Sequence, residues 1–256
     1  MKSIDLNCDM GESFGAWKMG DDATIMPLIT SANIAAGFHA GDPGTIRDTV
    51  RLAVDHGVAI GAHPGLPDLA GFGRRAMKVT PREVYDLVLY QAGAVGAFAA
   101  AAGARLHHVK LHGALYNMAA TDEGLSDALA RAVKDLGTGV LVYGLSGSAM
   151  MATAARHGVQ AIGEVFADRS YQPDGTLTPR NQPGAMITDE SDSVAQVLSM
   201  VEQGKVRALS GAEVPVAAGT LCLHGDQPGA VAFARALRRV FAERGITVVA
   251  PTGSPH

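Results

Sequence analysis

The chain has 256 residues, a mass of 26.4 kDa and a formal net charge of -4, and only 18% of its residues are charged. A mildly acidic chain without a run of Lys and Arg argues against a nucleic-acid-binding surface. The 31 glycines and the 47% of hydrophobic residues are typical of an α/β enzyme with one substantial core. We therefore expect one α/β domain over residues 1–256.

Cysteine use and the N-terminal residues predict the compartment. Cys8 and Cys222 are the two cysteines, and they lie far apart in separate apolar runs. No C-x-x-C pair is present, so neither a zinc ribbon nor a disulfide framework is indicated. The chain enters an apolar run directly after Met1-Lys2-Ser3, and we expect no signal peptide. A reducing cytoplasm is the predicted location.

Apolar runs bounded by turn residues alternate with segments of helical periodicity along the chain. Strands are predicted over residues 3–8, 30–36, 58–62, 107–111, 139–143, 159–165 and 220–224, with a further short strand over 246–250. Helices are predicted over residues 44–56, 81–103, 122–136, 147–157, 189–203 and 228–244. This alternation predicts parallel strands joined by right-handed crossovers.

The second of these helices contains the one stretch that resembles a membrane span. Residues 87–104 carry no charge, and this length is about the minimum for crossing a bilayer. The stretch is mostly alanine, however, and it follows a capping box from Thr80 to Glu83 with Pro81 at the first helical position. We interpret it as a helix packed against the core and expect no association with a membrane.

Polar residues inside three of the strands distinguish a barrel from an open sheet. Strands covered by helices on both faces are expected to be apolar throughout. In the first, fourth and seventh strands, polar residues alternate with apolar ones: Asp5, Asn7 and Asp9, then His108, Lys110 and His112, then Thr220, Cys222 and His224. We predict a β/α barrel of about seven parallel strands with a partly polar lumen, whose strand ends converge on one site.

Two carboxylates follow the first strand, Asp9 at its end and Glu12 three residues later. Two carboxyl groups held close together can divide the roles of base and acid, because their pKa values separate. The alternative is that Glu12 only binds nearby backbone amides.

Four histidines, His39, His63, His112 and His224, each stand where a predicted strand ends and a loop begins. Gathered with Asp9, their imidazoles can bind a divalent metal or act as general acids and bases. Because the residues lie on different strands, their spacing does not decide between these roles. No protein-bound metal is predicted firmly.

Lys110 is predicted to point into the barrel, on the same face of its strand as His112. A buried amine is costly unless it is paired, so we expect either a carboxylate or an anionic substrate beside it. Glu164 is the protein partner that we expect.

Two long loops are expected over residues 64–80 and 166–188, and loops of this length are often lids or binding loops. Their arginines Arg74, Arg75 and Arg169 are suited to holding a carboxylate or phosphate, with at least one of the first two simply solvated.

Asp42 precedes a predicted helix and is expected to cap it, whereas for Asp226 a capping and a functional role are equally supported.

Nucleotide-binding motifs are weak. The spacing from Gly15 to Gly20 continues with Asp21 instead of Lys-Ser or Lys-Thr, so it is not a P-loop. There is also no Gly-x-Ser-x-Gly elbow, and a covalent nucleophile is not evident.

The strand-end motifs together resemble the LamB/YcsF family, which forms part of bacterial ATP-dependent 5-oxoprolinases. The matching blocks are residues 5–12, 31–42, 61–65, 71–75, 109–117, 164–171 and 222–226. Two positions depart from the family pattern: Leu111 stands where proline is expected, and Ala36 where cysteine is common. Neither change affects the ionisable residues, although Ala36 implies that a thiol is dispensable there.

The resemblance implies a barrel similar to that of the polysaccharide deacetylases, and ATP-driven opening of 5-oxoproline to glutamate in a complex with subunits B and C. It implies ATP with Mg²⁺ as cofactor, bound on this chain, on a partner or at their interface. We expect catalysis to involve Asp9, Glu12, His39, His63, Lys110, His112, Glu164, His224 and Asp226. Substrate binding is expected from Asn7, Asn33, Arg74, Asp168 and Arg169.

The roles expected within this set follow from the chemistry of amide hydrolysis. Water activated by Asp9 or a strand-end histidine attacks the activated carbon, while Lys110 and His112 stabilise developing charge. Arg74 or Arg169 holds the carboxylate of the substrate.

Two other functions use the same residues. One is a stand-alone metal-dependent amidohydrolase or deacetylase that needs neither nucleotide nor partner. The other is a substrate-binding component of an assembly whose chemistry takes place elsewhere.

Overall fold

The computed structural model describes residues 2–223 and 229–253. Its strands are β1 (Ser3–Met10), β2 (Ser31–Ala35), β3 (Ala59–His63), β4 (Leu106–Lys110), β5 (Leu141–Leu145), β6 (Ala161–Phe166), β7 (Lys205–Arg207), β8 (Glu213–Pro215), β9 (Thr220–Leu223) and β10 (Thr247–Val248). Strands β1 to β6 pair in sequence, β6 pairs with β9, and β9 pairs with β1, all in parallel. The predicted seven-stranded parallel barrel is confirmed.

Helices surround this barrel. They are α1 (Asp22–Ile25), α2 (Pro43–Asp55), α3 (Pro81–Ala101), α4 (Gly113–Thr121), α5 (Glu123–Leu136), α6 (Ala149–Arg156), α7 (Glu190–Leu198) and α8 (Ala230–Glu243). The capping box at Thr80 and Glu83 is present at the start of α3. Asp42 caps α2 by accepting a hydrogen bond from the backbone N–H of Thr45, as predicted.

Several elements of the fold differ from the sequence prediction. Helices α1 and α4 lie in segments for which no helix is predicted, and α4 begins at Gly113, whose φ is 57°. An antiparallel hairpin of β7 and β8 occupies part of the segment between α7 and β9, for which no strand is predicted. Strand β10 is shorter than predicted and pairs with β1 outside the closed ring.

Helix α3 is long and apolar enough to cross a membrane by length and composition. In the structure its buried positions face the barrel and neighbouring helices. Gln91 is fully buried on this face; its side-chain amide donates a hydrogen bond to the carbonyl of Gly65 and accepts one from the N–H of Gly65. The helix is therefore tied to the loop that follows β3.

The lower layer of the barrel lumen is polar and internally hydrogen-bonded. The buried Asp5 carboxylate accepts hydrogen bonds from the hydroxyls of Thr30, Ser31 and Thr220 at 2.6, 2.8 and 2.6 Å. Burial raises the pKa of Asp5, in opposition to these hydrogen bonds. The Ser31 hydroxyl also lies 3.0 Å from that of Tyr143. These contacts explain why polar residues alternate along β1 and β9.

One layer higher, His108 lies across β3, and only a glycine leaves room for it. A Cβ atom added to Gly61 would lie 2.0 Å from Nε2 of His108, far inside van der Waals contact. The ring stacks on Tyr143 with 3.9 Å between the ring centroids, so it cannot move away without disturbing the lumen.

We expect Gly61→Ala to lower the free energy of unfolding by about 1–3 kcal/mol, because overpacking forces the buried ring from its position. Urea unfolding followed by circular dichroism measures this change. The matched control is Gly93→Ala on the exposed side of α3, where an added Cβ meets no atom within 4 Å. Alanine favours a helix over glycine by about 1 kcal/mol, so the control is expected to be neutral or stabilising. Equal destabilisation of both variants would contradict the packing argument.

Candidate active site

A cavity of about 630 Å³ opens at the C-terminal ends of the barrel strands. Five residues predicted from strand-end motifs lie together in its wall: Asp9, Glu12, His63, Lys110 and His112. Parallel strands bring these distant parts of the sequence to one face of the barrel. The predicted convergence of polar residues is therefore present in the structure.

Lys110 is the centre of the cavity floor. Its buried Nζ atom lies 2.9 Å from Oδ1 of Asp9 and 2.9 Å from Oε1 of Glu164. Burial disfavours the charged amine, but the neighbouring anionic groups, Asp9 foremost, raise the pKa of Lys110 well above its ordinary value. The predicted pairing with Glu164 is present, and Asp9 provides a second carboxylate. Glu164 itself is fully buried and does not line the cavity.

Asn7 and Asn33 lie beneath this ion pair and do not line the cavity. The Asn7 amide donates to Glu164 and Thr220 and accepts hydrogen bonds from Asn33 and Lys110. Asn33 donates its second hydrogen bond to Oδ1 of Asp9 at 2.9 Å. Because these amide groups are used within the protein, both residues orient the Asp9 and Lys110 side chains, in place of the predicted contact with substrate.

His108 is a positioning residue that the sequence alone indicates only as a polar position in the lumen. Its Nε2 atom lies 2.7 Å from the amide oxygen of Asn33, and its Nδ1 atom lies 3.0 Å from Nδ1 of His107. Burial, and then the positive charge of neighbouring His107 and Lys110, lowers the pKa of His108 well below its ordinary value. Burial therefore favours the neutral form of the ring.

Three strand-end histidines and Glu12 form a compact cluster beside Asp9. His39 and His112 stack with 3.7 Å between ring centroids, and His63 meets both rings edge-on. Oε1 of Glu12 lies 3.9 Å from Nε2 of His39 and 3.9 Å from Nδ1 of His112. One ligand atom from each of the four residues lies within 4.8 Å of the others. His63 also links the cluster to Asp9, with Nε2 3.3 Å from Oδ2.

Burial sets the protonation of this cluster. Desolvation, together with the neighbouring histidines, lowers the pKa of both His39 and His112 well below the ordinary value. Both rings are accordingly neutral near pH 7, and their nitrogen lone pairs can take a proton or bind a cation.

Positively charged residues from the long loops contribute to the cavity wall. Arg74 is exposed at the rim, with its guanidinium 4.8 Å from the centre of the Phe72 ring. Arg169 is buried and donates hydrogen bonds to the carbonyls of Thr178 and Ala185 at 2.6 and 3.4 Å. Burial lowers the pKa of Arg169 to about 10, so it remains charged at neutral pH.

The remaining predicted residues lie elsewhere. Arg75, considered with Arg74 as an anion-binding residue, is paired with Asp68 outside the cavity lining. Asp168 lines a second cavity of about 270 Å³ and does not line the first. His224 and Asp226 lie outside the described residues.

The pKa of His108 predicts an acid-sensitive stability. Between the ordinary value near 6.5 and the lower pKa of the folded state, the unfolded chain binds a proton that the folded protein does not. The free energy of unfolding therefore falls with decreasing pH, by up to about 1.4 kcal/mol per pH unit for each such histidine.

We expect His108→Gln to remove this contribution, so that stability falls less steeply between about pH 6.5 and pH 5. Urea unfolding at a series of pH values measures the slope. His56→Gln is the control, because His56 is exposed at the end of α2. A slope in His108→Gln equal to that of the unsubstituted protein would show that His108 is not buried as a neutral ring.

Known proteins resemble this chain over nearly its full length. The profile of the LamB/YcsF family matches residues 4–255. A protein from Bordetella parapertussis, named as the A subunit of 5-oxoprolinase, is 59% identical over 248 residues, which make up 97% of this chain and 98% of that protein.

Solved structures extend the comparison to the fold. The crystal structure of a lactam utilization protein from Thermus thermophilus is similar, with a TM-score of 0.91 and 49% identity over 98% of this chain and 100% of that one. A polysaccharide deacetylase from Bacillus cereus has a TM-score of 0.50 at 14% identity, over 100% of this chain and 95% of that one. The second likeness concerns the fold alone, and it agrees with the deacetylase-like barrel expected from the sequence.

Proposed function

The chain belongs to the LamB/YcsF family, and we propose that it works as the A subunit of an ATP-dependent 5-oxoprolinase that opens 5-oxo-L-proline to L-glutamate. Support comes from relatives of similar length that carry this subunit name. The observation that supports a catalytic role is the Asp9–Lys110 pair at the floor of a cavity whose wall includes Arg74 and Arg169. The family relationship supports a hydrolase role on the lactam. That this chain itself takes part in the catalysis is our proposal.

The chemistry of the substrate explains why ATP is needed. A lactam is an unactivated amide, and transfer of the γ-phosphoryl group to its oxygen activates the ring carbon. Water then adds to that carbon, and the C–N bond must break, because loss of phosphate at this stage would return the lactam. A second water hydrolyses the resulting acyl phosphate. The balance is 5-oxoproline, ATP and two waters giving glutamate, ADP and phosphate.

We assign Asp9 as the general base of the water-addition step. Its side chain is 10% exposed, whereas the side chains of Lys110 and Glu164 are 3% and 0% exposed, so Asp9, and not Glu164, is the partner of Lys110 that faces the cavity. The ammonium group of Lys110 lies 2.9 Å from Oδ1 of Asp9, and it stabilises negative charge developing on the substrate. His63 lies 3.3 Å from Asp9 and orients its Oδ2 atom.

We assign to Arg74 and Arg169 the binding of the carboxylate and phosphate groups of the reactants. A guanidinium group binds a carboxylate or a phosphate through paired hydrogen bonds. Arg169 is held in place by two backbone carbonyls, whereas Arg74 stands at the exposed rim. We propose that Arg74 captures the carboxylate of 5-oxoproline as it enters.

ATP use is assigned to the complex of this chain with subunits B and C. The sequence contains no P-loop, and we propose that ATP with Mg²⁺ is bound where this chain meets its partners. A cytoplasmic location completes the proposal, and it is supported by two buried cysteines that are free thiols. A stand-alone amidohydrolase is less well supported, because the relatives are named as subunits.

The proposal as a whole is tested by glutamate release from 5-oxoproline. We expect release to require ATP, this chain and both partner subunits together. Absence of release from the complete set would overturn the function, and release by this chain alone without ATP would instead favour an independent amidohydrolase.

We expect Asp9→Asn to reduce turnover by the reconstituted complex by about 10²–10⁴-fold, the usual contribution of a general base. Binding of 5-oxoproline, measured by calorimetry on the same complex, is expected to change much less. Asp48→Asn is the matched control, because the Asp48 side chain is 70% exposed on α2. Retained turnover with lost binding would give this chain a substrate-binding role only.

Arg74 and its neighbour Arg75 provide a matched pair of variants. We expect Arg74→Gln to raise KM for 5-oxoproline about 10–100-fold with a smaller effect on kcat, since a charge-assisted hydrogen bond contributes roughly 1.5–3 kcal/mol. Arg75→Gln should leave KM close to its original value, because Arg75 is occupied by Asp68. Steady-state kinetics of the complex measures both. Equal KM values for the two variants would remove Arg74 from substrate binding.

A further inference from the structure

We propose that Glu12, His39, His63 and His112 form a binding site for one divalent transition-metal ion, with Zn²⁺ as the best-matched ion. The inference stands on the geometry of these four side chains and does not depend on the reaction proposed above. The four residues come from the ends of β1, β2, β3 and β4, which are consecutive strands of the barrel.

The first observation concerns the positions of the ring protons. Nδ1 of His63 lies 2.8 Å from the carbonyl oxygen of Lys110, and Nε2 of His112 lies 2.8 Å from the carbonyl oxygen of Phe72. A carbonyl oxygen only accepts hydrogen bonds, so each of these ring nitrogens must carry the proton. The opposite nitrogens, Nε2 of His63 and Nδ1 of His112, therefore both present lone pairs.

Those two lone pairs point at one another across only 2.9 Å. Two acceptors at this separation repel unless a cation binds both, and the candidates are a shared proton or a metal ion. A proton would satisfy only these two atoms. A metal ion would also engage the remaining two members of the cluster.

His39 is the member that a shared proton leaves unexplained. Its ring is fully buried, and neither ring nitrogen has a hydrogen-bond partner among residues 2–223 and 229–253. Burying a polar nitrogen without a partner is costly, and such atoms are rare in folded proteins. Nε2 of His39 faces Oε1 of Glu12 at 3.9 Å, a separation that one ion bound by both atoms can span.

The surroundings hold the rings in this arrangement. The backbone carbonyls that receive the protons of His63 and His112 are the usual outer-shell partners of metal-binding histidines, and they fix both tautomer and ring orientation. A Cβ at Gly65 would lie 2.5 Å from Nδ1 of His39, and one at Gly73 would lie 2.8 Å from both His39 and His112. The two glycines thus allow the backbone to close around the imidazoles.

The donor set selects the class of metal. Three imidazole nitrogens and one carboxylate oxygen suit Zn²⁺ and related divalent transition ions, whereas Mg²⁺ prefers oxygen ligands. This ion is therefore distinct from the Mg²⁺ that accompanies ATP. Glu12, His63 and His112 also line the large cavity, so the ion would face the substrate beside Asp9, where it can polarise an oxygen atom.

The test is metal binding by the purified full chain, without ATP, substrate or partner subunits. We expect about one equivalent of Zn²⁺ per chain by mass spectrometry of metals and by calorimetry, and a visible absorption spectrum of ligand-bound Co²⁺. His39→Ala and His112→Ala should each weaken Zn²⁺ binding by more than the roughly 10–100-fold caused by loss of an outer-shell partner.

The matched control is His56→Ala, which removes an exposed histidine at the end of α2 and should leave the affinity unchanged. If an alanine variant does not fold, as judged by circular dichroism, Glu12→Gln provides the same test with little change in volume. No stoichiometric binding by the unsubstituted chain would overturn the site. Equal affinities of the folded ligand variants and the unsubstituted chain would also overturn it. Because no turnover is measured, failure here leaves the proposed 5-oxoprolinase function standing, and failure of that function leaves this result intact.

Discussion

A single buried ammonium group determines how the interior of this barrel is built. Lys110 points into the lumen, where an unpaired charge would be too costly to tolerate, and the carboxylates of Asp9 and Glu164 compensate it. The two partners differ in exposure, since Glu164 is sealed inside while Asp9 reaches the cavity. The same ion pair therefore stabilises the lumen and presents one anionic oxygen acceptor to a substrate.

The hydrogen bonds below this ion pair explain why the layers of the lumen beneath the cavity floor are also polar. Asn7 and Asn33 connect Lys110 and Asp9 to the buried His108, and Asp5 fixes the layer beneath through three hydroxyl groups. Asn7, Asn33 and Asp5 are each held by hydrogen bonds from more than one strand, so a shift in one strand is opposed by the others. Such a network restricts the side chains at the cavity floor to one arrangement, which a catalytic site requires.

A sequence pattern shows which residues share one face of a strand, and this limits how much of the fold and of the site can be predicted. Alternation of polar and apolar residues in β1, β4 and β9 predicts both the barrel and its polar lumen, because side chains on a strand point to alternate faces. The strand-end positions of His39, His63 and His112 predict that they face one end of the barrel. Their stacking and their contact with Glu12 depend on strand register and loop path, which no spacing in the sequence specifies. The orienting role of Asn7 is hidden for the same reason, since its hydrogen-bond partners come from distant strands.

The two oxygens of Asp9 have different surroundings, and this difference decides how the carboxylate can act. Oδ1 accepts hydrogen bonds from Lys110 and Asn33, at 2.9 Å each, and these donors stabilise negative charge on that atom. Protonation of Oδ1 would place a proton against two donors, so a proton taken from water is accommodated at Oδ2 instead. Oδ2 lies 3.3 Å from Nε2 of His63, the nitrogen whose lone pair is left available because Nδ1 donates to the carbonyl of Lys110. Proton transfer and the histidine cluster are therefore coupled through a single carboxylate oxygen, and any cation bound by the cluster would act directly on the basicity of Asp9.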